Sequence, residues 1–167
     1  KHLPPRKKSM QHIKLHTLGN GELTPVYMCM DNRLSSTLKP LNPTNAPGAE
    51  ILVELKSQSS KLDNIHGLEK VDLLILDNKF DLAPAFEYGS RILQECLTIE
   101  VKITFMSTHQ GQMSLDASTT ALTHRGFVFH CFTDVEYGTP KPINHAEPLT
   151  STQMVSAKAV FIPTEQR

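Results

Sequence analysis

The sequence predicts an α/β fold built on a mostly parallel sheet, and three observations within residues 71–105 carry that prediction. Leu73, Leu74, Ile75 and Leu76 form an unbroken apolar run, the pattern of a parallel strand covered on both faces. Ile99, Val101, Ile103 and Phe105 alternate with Thr98, Glu100, Lys102 and Thr104, which is strand period. Between them lies a helix pattern, with Leu82, Phe86, Ile92 and Leu93 on one side, long enough for the crossover of a parallel pair.

The apolar run ends at Asp77, which puts a carboxylate at the carboxyl end of the strand. Ligands bind at that edge in open α/β sheets. Asp81 is placed to cap the next element and Pro84 suits a first helical turn, so one helix is expected over residues 83–95. Leu74 and Leu76 point to one face of the strand, Leu73 and Ile75 to the other. All four are expected to be mostly buried.

The 167 residues suffice for one domain with a real core. Hydrophobic content of 39% and a mean hydropathy of −0.26 describe a soluble globular chain with no membrane span. Lys plus Arg balances Asp plus Glu at 17 each, which gives no overall pull toward nucleic acid or an anionic surface. Lys1, Arg6, Lys7 and Lys8 form the basic cluster of a flexible, solvated leader over residues 1–10, and no apolar segment follows it as in a secretory signal. Cys29, Cys96 and Cys131 are too few and too scattered for a disulfide framework or a zinc site. They read as small core thiols in a reducing, cytoplasmic setting. The chain begins at Lys1 rather than a methionine and is treated as one that can belong to a longer protein.

In chain order, residues 12–18 (HIKLHTL) alternate as a strand, with His12 and His16 on one face as solvent-facing histidines or a poor metal pair. Gly19-Asn20-Gly21 turns the chain into a partner strand over residues 22–30, where Pro25 argues for an edge or a bulge. Residues 31–48 read as a proline-punctuated loop without a helix. A short strand carries Ile51, Val53 and Leu55. A polar connection follows, where Asp63 and Asn64 cap a short turn. After Phe105, the loop MSTHQGQMS reaches the same rim as Asp77 and makes His109 the histidine placed for chemistry, weighed against plain polar surface. Residues 114–124 predict a helix with Leu115, Ser118, Ala121 and Leu122 inward, Ser114 as N-cap and Gly126 as stop. Residues 127–132 (FVFHCF) read as a densely buried strand and residues 157–163 as a last strand. No Walker, GxSxG or Cys/His zinc spacing occurs, and no glycine-rich loop joins a strand to a helix as a phosphate or adenosine cradle.

Taken together, LGNGELTPVYMC, SSTLKPLNP, KLDNI, VDLLILD, FEYGSRIL, TIEVKITF, HQGQ, RGFVFHCF and AKAVFIP resemble, in order and spacing, the FkbM-type methyltransferases. The resemblance is collinear from about residue 15 to 163. It implies a methyltransferase-like Rossmann fold, here truncated to its later part, with an antiparallel C-terminal strand. It also implies one domain over residues 1–167 that lacks the N-terminal strands and cofactor loop. The implied activity is S-adenosylmethionine-dependent O-methylation of a sugar or other small metabolite.

The sequence departs from the family pattern at several positions. Asp77 keeps the first acid after the central strand, but Phe80 stands where a glycine is expected, Leu82 where a glutamate is, and Lys102 where the next strand carries an acid. In a methyltransferase-like sheet the first two strands lie between the third and fourth, so their loss leaves neighbours unpaired. The resemblance therefore implies a truncated or degenerate methyltransferase. Asp77 would orient the acceptor hydroxyl or the cofactor, and His109 would remove a proton. The alternative is a non-catalytic interaction module that keeps the fold without the cofactor.

Overall fold

The computed structural model describes residues 17–41, 48–68, 70–138 and 153–165. These residues form a mixed α/β structure with two mixed sheets. The first sheet has the order β1-β3-β2, from β1 (Thr17–Leu18), β2 (Leu23–Cys29) and β3 (Ile51–Ser60). β1 runs parallel to the end of β3, and β2 runs antiparallel along its length. Of the predicted strand at residues 12–18, only Thr17 and Leu18 fall within the described residues. Pro25 lies on the edge strand β2, as its missing N–H requires. β3 is longer than the expected short strand, because the polar residues Ser57 to Ser60 continue its pairing with β2 and β1.

The second sheet has the order β4-β5-β7-β6, from β4 (Leu73–Asp77), β5 (Thr98–Thr104), β6 (Phe127–Gly138) and β7 (Gln153–Pro163). β4 and β5 are adjacent and parallel, as expected. β7 is antiparallel to both β5 and β6, so three strands share a direction and the C-terminal strand opposes them. The sheet is mixed rather than mostly parallel in its pairings.

Three helices, α1 (Ala83–Glu87), α2 (Ser90–Glu95) and α3 (Leu115–Thr123), accompany this sheet. Phe86, Ile92, Leu93 and Leu122 join Leu76, Ile99, Val101, Ile103, Ala159 and Phe161 in one buried cluster. The helices therefore cover the face that carries Ile99 and Val101. The expectation that β4 is covered on both faces is overturned: Leu76 is 6% exposed, but Leu73 and Ile75 are 47% and 56% exposed. β4 is the sheet's edge strand, and its other face has no helix among the described residues. β6 forms the opposite edge. Phe127 is buried there, but Val128 and Phe129 are exposed, so this strand is not densely buried.

The helix expected over residues 83–95 is two helices, broken at Tyr88–Gly89. A Cβ on Gly89 would lie 2.4 Å from the Ala85 carbonyl oxygen and 2.7 Å from Leu62 Cδ2, so the chain can pass Leu62 only as glycine. The break also has a cap. The Asp63 carboxylate accepts hydrogen bonds from the backbone N–H groups of Arg91 and Ile92, at 3.0 and 3.1 Å, and so starts α2. Asp63 caps this distant helix as well as sitting in the short 3-10 turn Leu62–Asn64. Asp81 accepts from Ala83 N at the start of α1, as expected. α3 begins after Ser114 and ends before Gly126, which lies in the left-handed region at φ 78°. The loop from Asp31 holds a 3-10 turn at Asn32–Leu34, capped by the Asp31 side chain, where no helix was expected.

Candidate functional site

The carboxyl ends of β4 and β5 form the rim where sequence reasoning places the site. Asp77 ends β4, and its Oδ1 accepts a hydrogen bond from Lys79 N at 3.0 Å, which tightens the turn that follows. Its other carboxylate oxygen has no hydrogen-bond partner among the described residues. In register beside it stands Lys102 of β5, an exposed cation that also lies opposite Lys158 of β7. Lys158 forms an ion pair with Asp134 at 2.6 Å. That hydrogen-bonded carboxylate pushes its ammonium pKa up, with Glu100 adding to the effect.

Asn78 is fully buried and holds the rim together. Its Nδ2 donates to the Met113 carbonyl at 3.0 Å and its Oδ1 accepts from Thr104 N at 3.1 Å, while its own N–H donates to the Lys102 carbonyl at 3.0 Å. One side chain therefore ties the end of β4 to the end of β5 and to the loop before α3. Sequence reasoning missed it, since an asparagine after a strand reads as an ordinary turn residue.

His109 is 2% exposed, and both ring nitrogens are engaged. Nε2 lies 3.0 Å from the Leu34 carbonyl oxygen and Nδ1 lies 2.8 Å from Thr108 Oγ1. A carbonyl only accepts, so Nε2 carries a hydrogen that it donates to Leu34, and Nδ1 is taken up by the Thr108 hydroxyl. The bond to Leu34 clips the segment after β2 onto the loop after β5. Leu41 N donates to Thr108 O and Gln110 N to Lys39 O, both at 2.8 Å, on either side of a Pro40–His109 bridge. The same segment braces the turn after β4, where Ser36 Oγ donates to Lys79 O and Thr37 Oγ1 accepts from Asp81 N. Residues 31–41 thus straddle both loops of the rim. Asp77 ends the strand that leads into the first of these loops and His109 lies on the second, and no hydrogen bond joins them.

Two of the cysteines, Cys29 and Cys96, lie buried as expected for core thiols; Cys131, half-buried on the edge strand β6, does not. All three are unbonded to one another. Burial, and then the Asp31 carboxylate, pushes the Cys29 thiol up in pKa and away from the reactive thiolate. Two surface depressions lie away from the rim. One, of about 410 Å³, is lined by Ser90, Leu93, Gln94, His124 and Arg125; the other, of about 430 Å³, lies among Asp63, His66, Leu68 and Arg91. The guanidinium in each is already committed to backbone carbonyls, Arg125 to Ala121 and Phe86, and Arg91 to Asp63 and Leu68. Among the described residues no group of three or more His, Cys, Asp or Glu side chains is placed to hold a metal, and no helix is long and apolar enough to cross a membrane. His12 and His16 lie outside the described residues. Set against protein-family models, curated proteins and solved structures, the chain matches none of them.

Proposed function

We propose that this chain is a degenerate methyltransferase-like domain, acting as a non-catalytic interaction module in a reducing, cytoplasmic setting. Support for the descent comes from the sheet that contains β4. Three strands sharing a direction, with the C-terminal strand reversed, are what the resemblance to FkbM-type methyltransferases implies for the later part of that fold.

One observation carries the loss of catalysis: the ring of His109 has no nitrogen left for a substrate. O-methyl transfer needs an acceptor oxygen held in line with the methyl group and a base that takes its proton. A base must reach that proton within hydrogen-bond distance, and this imidazole is spent on Leu34 and Thr108. Nor do the rim residues fit S-adenosylmethionine. The Phe80 ring occupies the turn after β4 with the Lys79 ammonium 5.0 Å from its centroid, and the Lys102 cation beside Asp77 repels a sulfonium. A second reading, a retained enzyme for a sugar or small-molecule acceptor, is favoured only by the unbonded carboxylate oxygen of Asp77, which could still orient a hydroxyl.

Calorimetric titration of the chain with S-adenosylhomocysteine tests the proposal. The expected result is no saturable heat at micromolar ligand. Tight, saturable binding, weakened by Asp77→Asn, would establish the second reading instead.

A further inference from the structure

We infer that Asn20 is a site of spontaneous deamidation, held back in the fold by the Ser59 hydroxyl. The inference is independent of the methyltransferase reading and starts from the turn between β1 and β2. These strands flank β3, so residues 19–22 must cross over its end. They cross at Ser59, where a side chain on Gly19 would run into the hydroxyl. Ser59 is buried beneath the turn, whereas Asn20, Gly21 and Glu22 are exposed.

An Asn-Gly pair carries its own reagents. The Gly21 nitrogen is the nucleophile and the Asn20 side-chain carbon Cγ is the electrophile, and together they close into a succinimide. Gly21 brings no side chain to hinder that closure, and nothing lies within 4 Å of where its Cβ would stand. The electrophile is already polarised. Asn20 Oδ1 accepts a hydrogen bond from Glu22 N at 2.9 Å, which draws electron density away from Cγ.

What the fold withholds is the nucleophile. To attack, the Gly21 nitrogen must lose its hydrogen, and that N–H donates to Ser59 Oγ at 3.1 Å. A hydrogen bond made by the neutral form disfavours the charged one. Ser59 is itself held in place, because its hydroxyl and its own N–H both donate to the Glu22 carbonyl, at 2.7 and 3.0 Å. The Asn20 amide is fixed too, with Nδ2 donating to Glu22 Oε2 at 2.9 Å. The turn is activated at the carbon and latched at the nitrogen.

Once the latch opens, hydroxide removes the Gly21 hydrogen, the N–Cγ bond forms and the Cγ–Nδ2 bond breaks. The nitrogen leaves as ammonia, taking a hydrogen from solvent. Water then opens the succinimide. Attack at Cγ leaves an aspartate at position 20, and attack at the main-chain carbonyl carbon leaves an isoaspartate whose backbone runs through Cβ and Cγ. Either product loses the donor to Glu22 and sets a second carboxylate beside it. The isoaspartate also lengthens the turn, which draws the Gly21 N–H off Ser59 and loosens the link between β1 and β2.

Incubation of the full chain at neutral pH, followed by peptide mapping and mass spectrometry, reads conversion at Asn20 against the same chain unfolded in urea. Folded wild type is expected to convert more slowly than the unfolded chain. S59A, checked for folding by circular dichroism, should convert roughly tenfold faster than folded wild type, the weight of one hydrogen bond of about 1.4 kcal/mol. Q58A is the control, since it removes the bond from Gln58 Nε2 to the Gly21 carbonyl but leaves the Gly21 N–H on Ser59; it should convert like wild type. A Q58A rate equal to that of S59A would overturn the inference, because any loosening of the turn would then suffice. So would an S59A rate equal to wild type, or an unfolded chain that leaves Asn20 intact. Hydrogen exchange on the wild-type chain needs no variant: the Gly21 amide should be protected, and exchange as fast as in a free peptide would overturn the inference.

Discussion

Replacing Asn78 with alanine should be among the most damaging single changes at the rim, and its cost follows from the bonds it makes. The Asn78 side chain is fully buried and joins the Met113 carbonyl to the Thr104 N–H. N78A leaves both groups without a partner at a fully buried position. Each buried group left unpaired costs about 1–3 kcal/mol, so a loss of about 3 kcal/mol is expected after partial relaxation. For a chain of this size each kcal/mol moves Tm by about 2–4 °C, so Tm should fall by roughly 6–12 °C. Urea unfolding followed by circular dichroism, with thermal melts alongside, measures this directly. N78D sharpens the test. It keeps the bond from Thr104 but turns a carboxylate oxygen on the Met113 carbonyl, which disfavours the charged form in the fold. Its folded pKa then lies above the unfolded one. The deficit is largest above that folded pKa and shrinks as pH falls through it, when the acid gains a hydrogen to donate. An N78A variant within about 0.5 kcal/mol of wild type would refute the reasoning, since surface changes cost no more than that.

Further tests address the uncovered sheet face and the start of α3. L76A should lose ~2–5 kcal/mol in urea unfolding, whereas L73A and I75A, whose side chains are about half exposed, should each lose about 1 kcal/mol or less. Equal costs for all three would mean that both faces of β4 are covered. The Ser114 hydroxyl, with backbone N–H groups at the start of α3, holds the Asp116 carboxyl below its ordinary value of 3.8. A depressed folded pKa stabilises the fold above the unfolded value and is lost as pH falls through the folded one. A carboxyl-detected NMR titration should therefore place the Asp116 midpoint below 3.8, and S114A should raise it.

Much of the β4–α1–α2–β5 unit was legible because its signals are local. An apolar run, an alternating run and a capping aspartate each declare themselves within a few residues, and the structure places β4 and β5 adjacent and parallel. The rim itself was legible too, since Asp77 must sit where the strand ends. What Asp77 and His109 face there was not. A histidine in a polar loop reads the same whether it meets solvent or a carbonyl, and the carbonyl that claims His109 belongs to Leu34, separated from it by 75 positions.

The same limit decides the rest. An apolar run of four residues records that a strand is hydrophobic, but not whether one face or two are covered; Leu73 and Ile75 are open because the packed helices lie on the other side. The pattern of residues 83–95 is continuous, so nothing in it marks the break at Gly89, which comes from Leu62 pressing on that turn and Asp63 capping α2. Periodicity and capping are properties of neighbours along the chain, and they set the type of each element. Coverage, breaks and the partners of buried polar groups are set by residues that meet only when the chain folds.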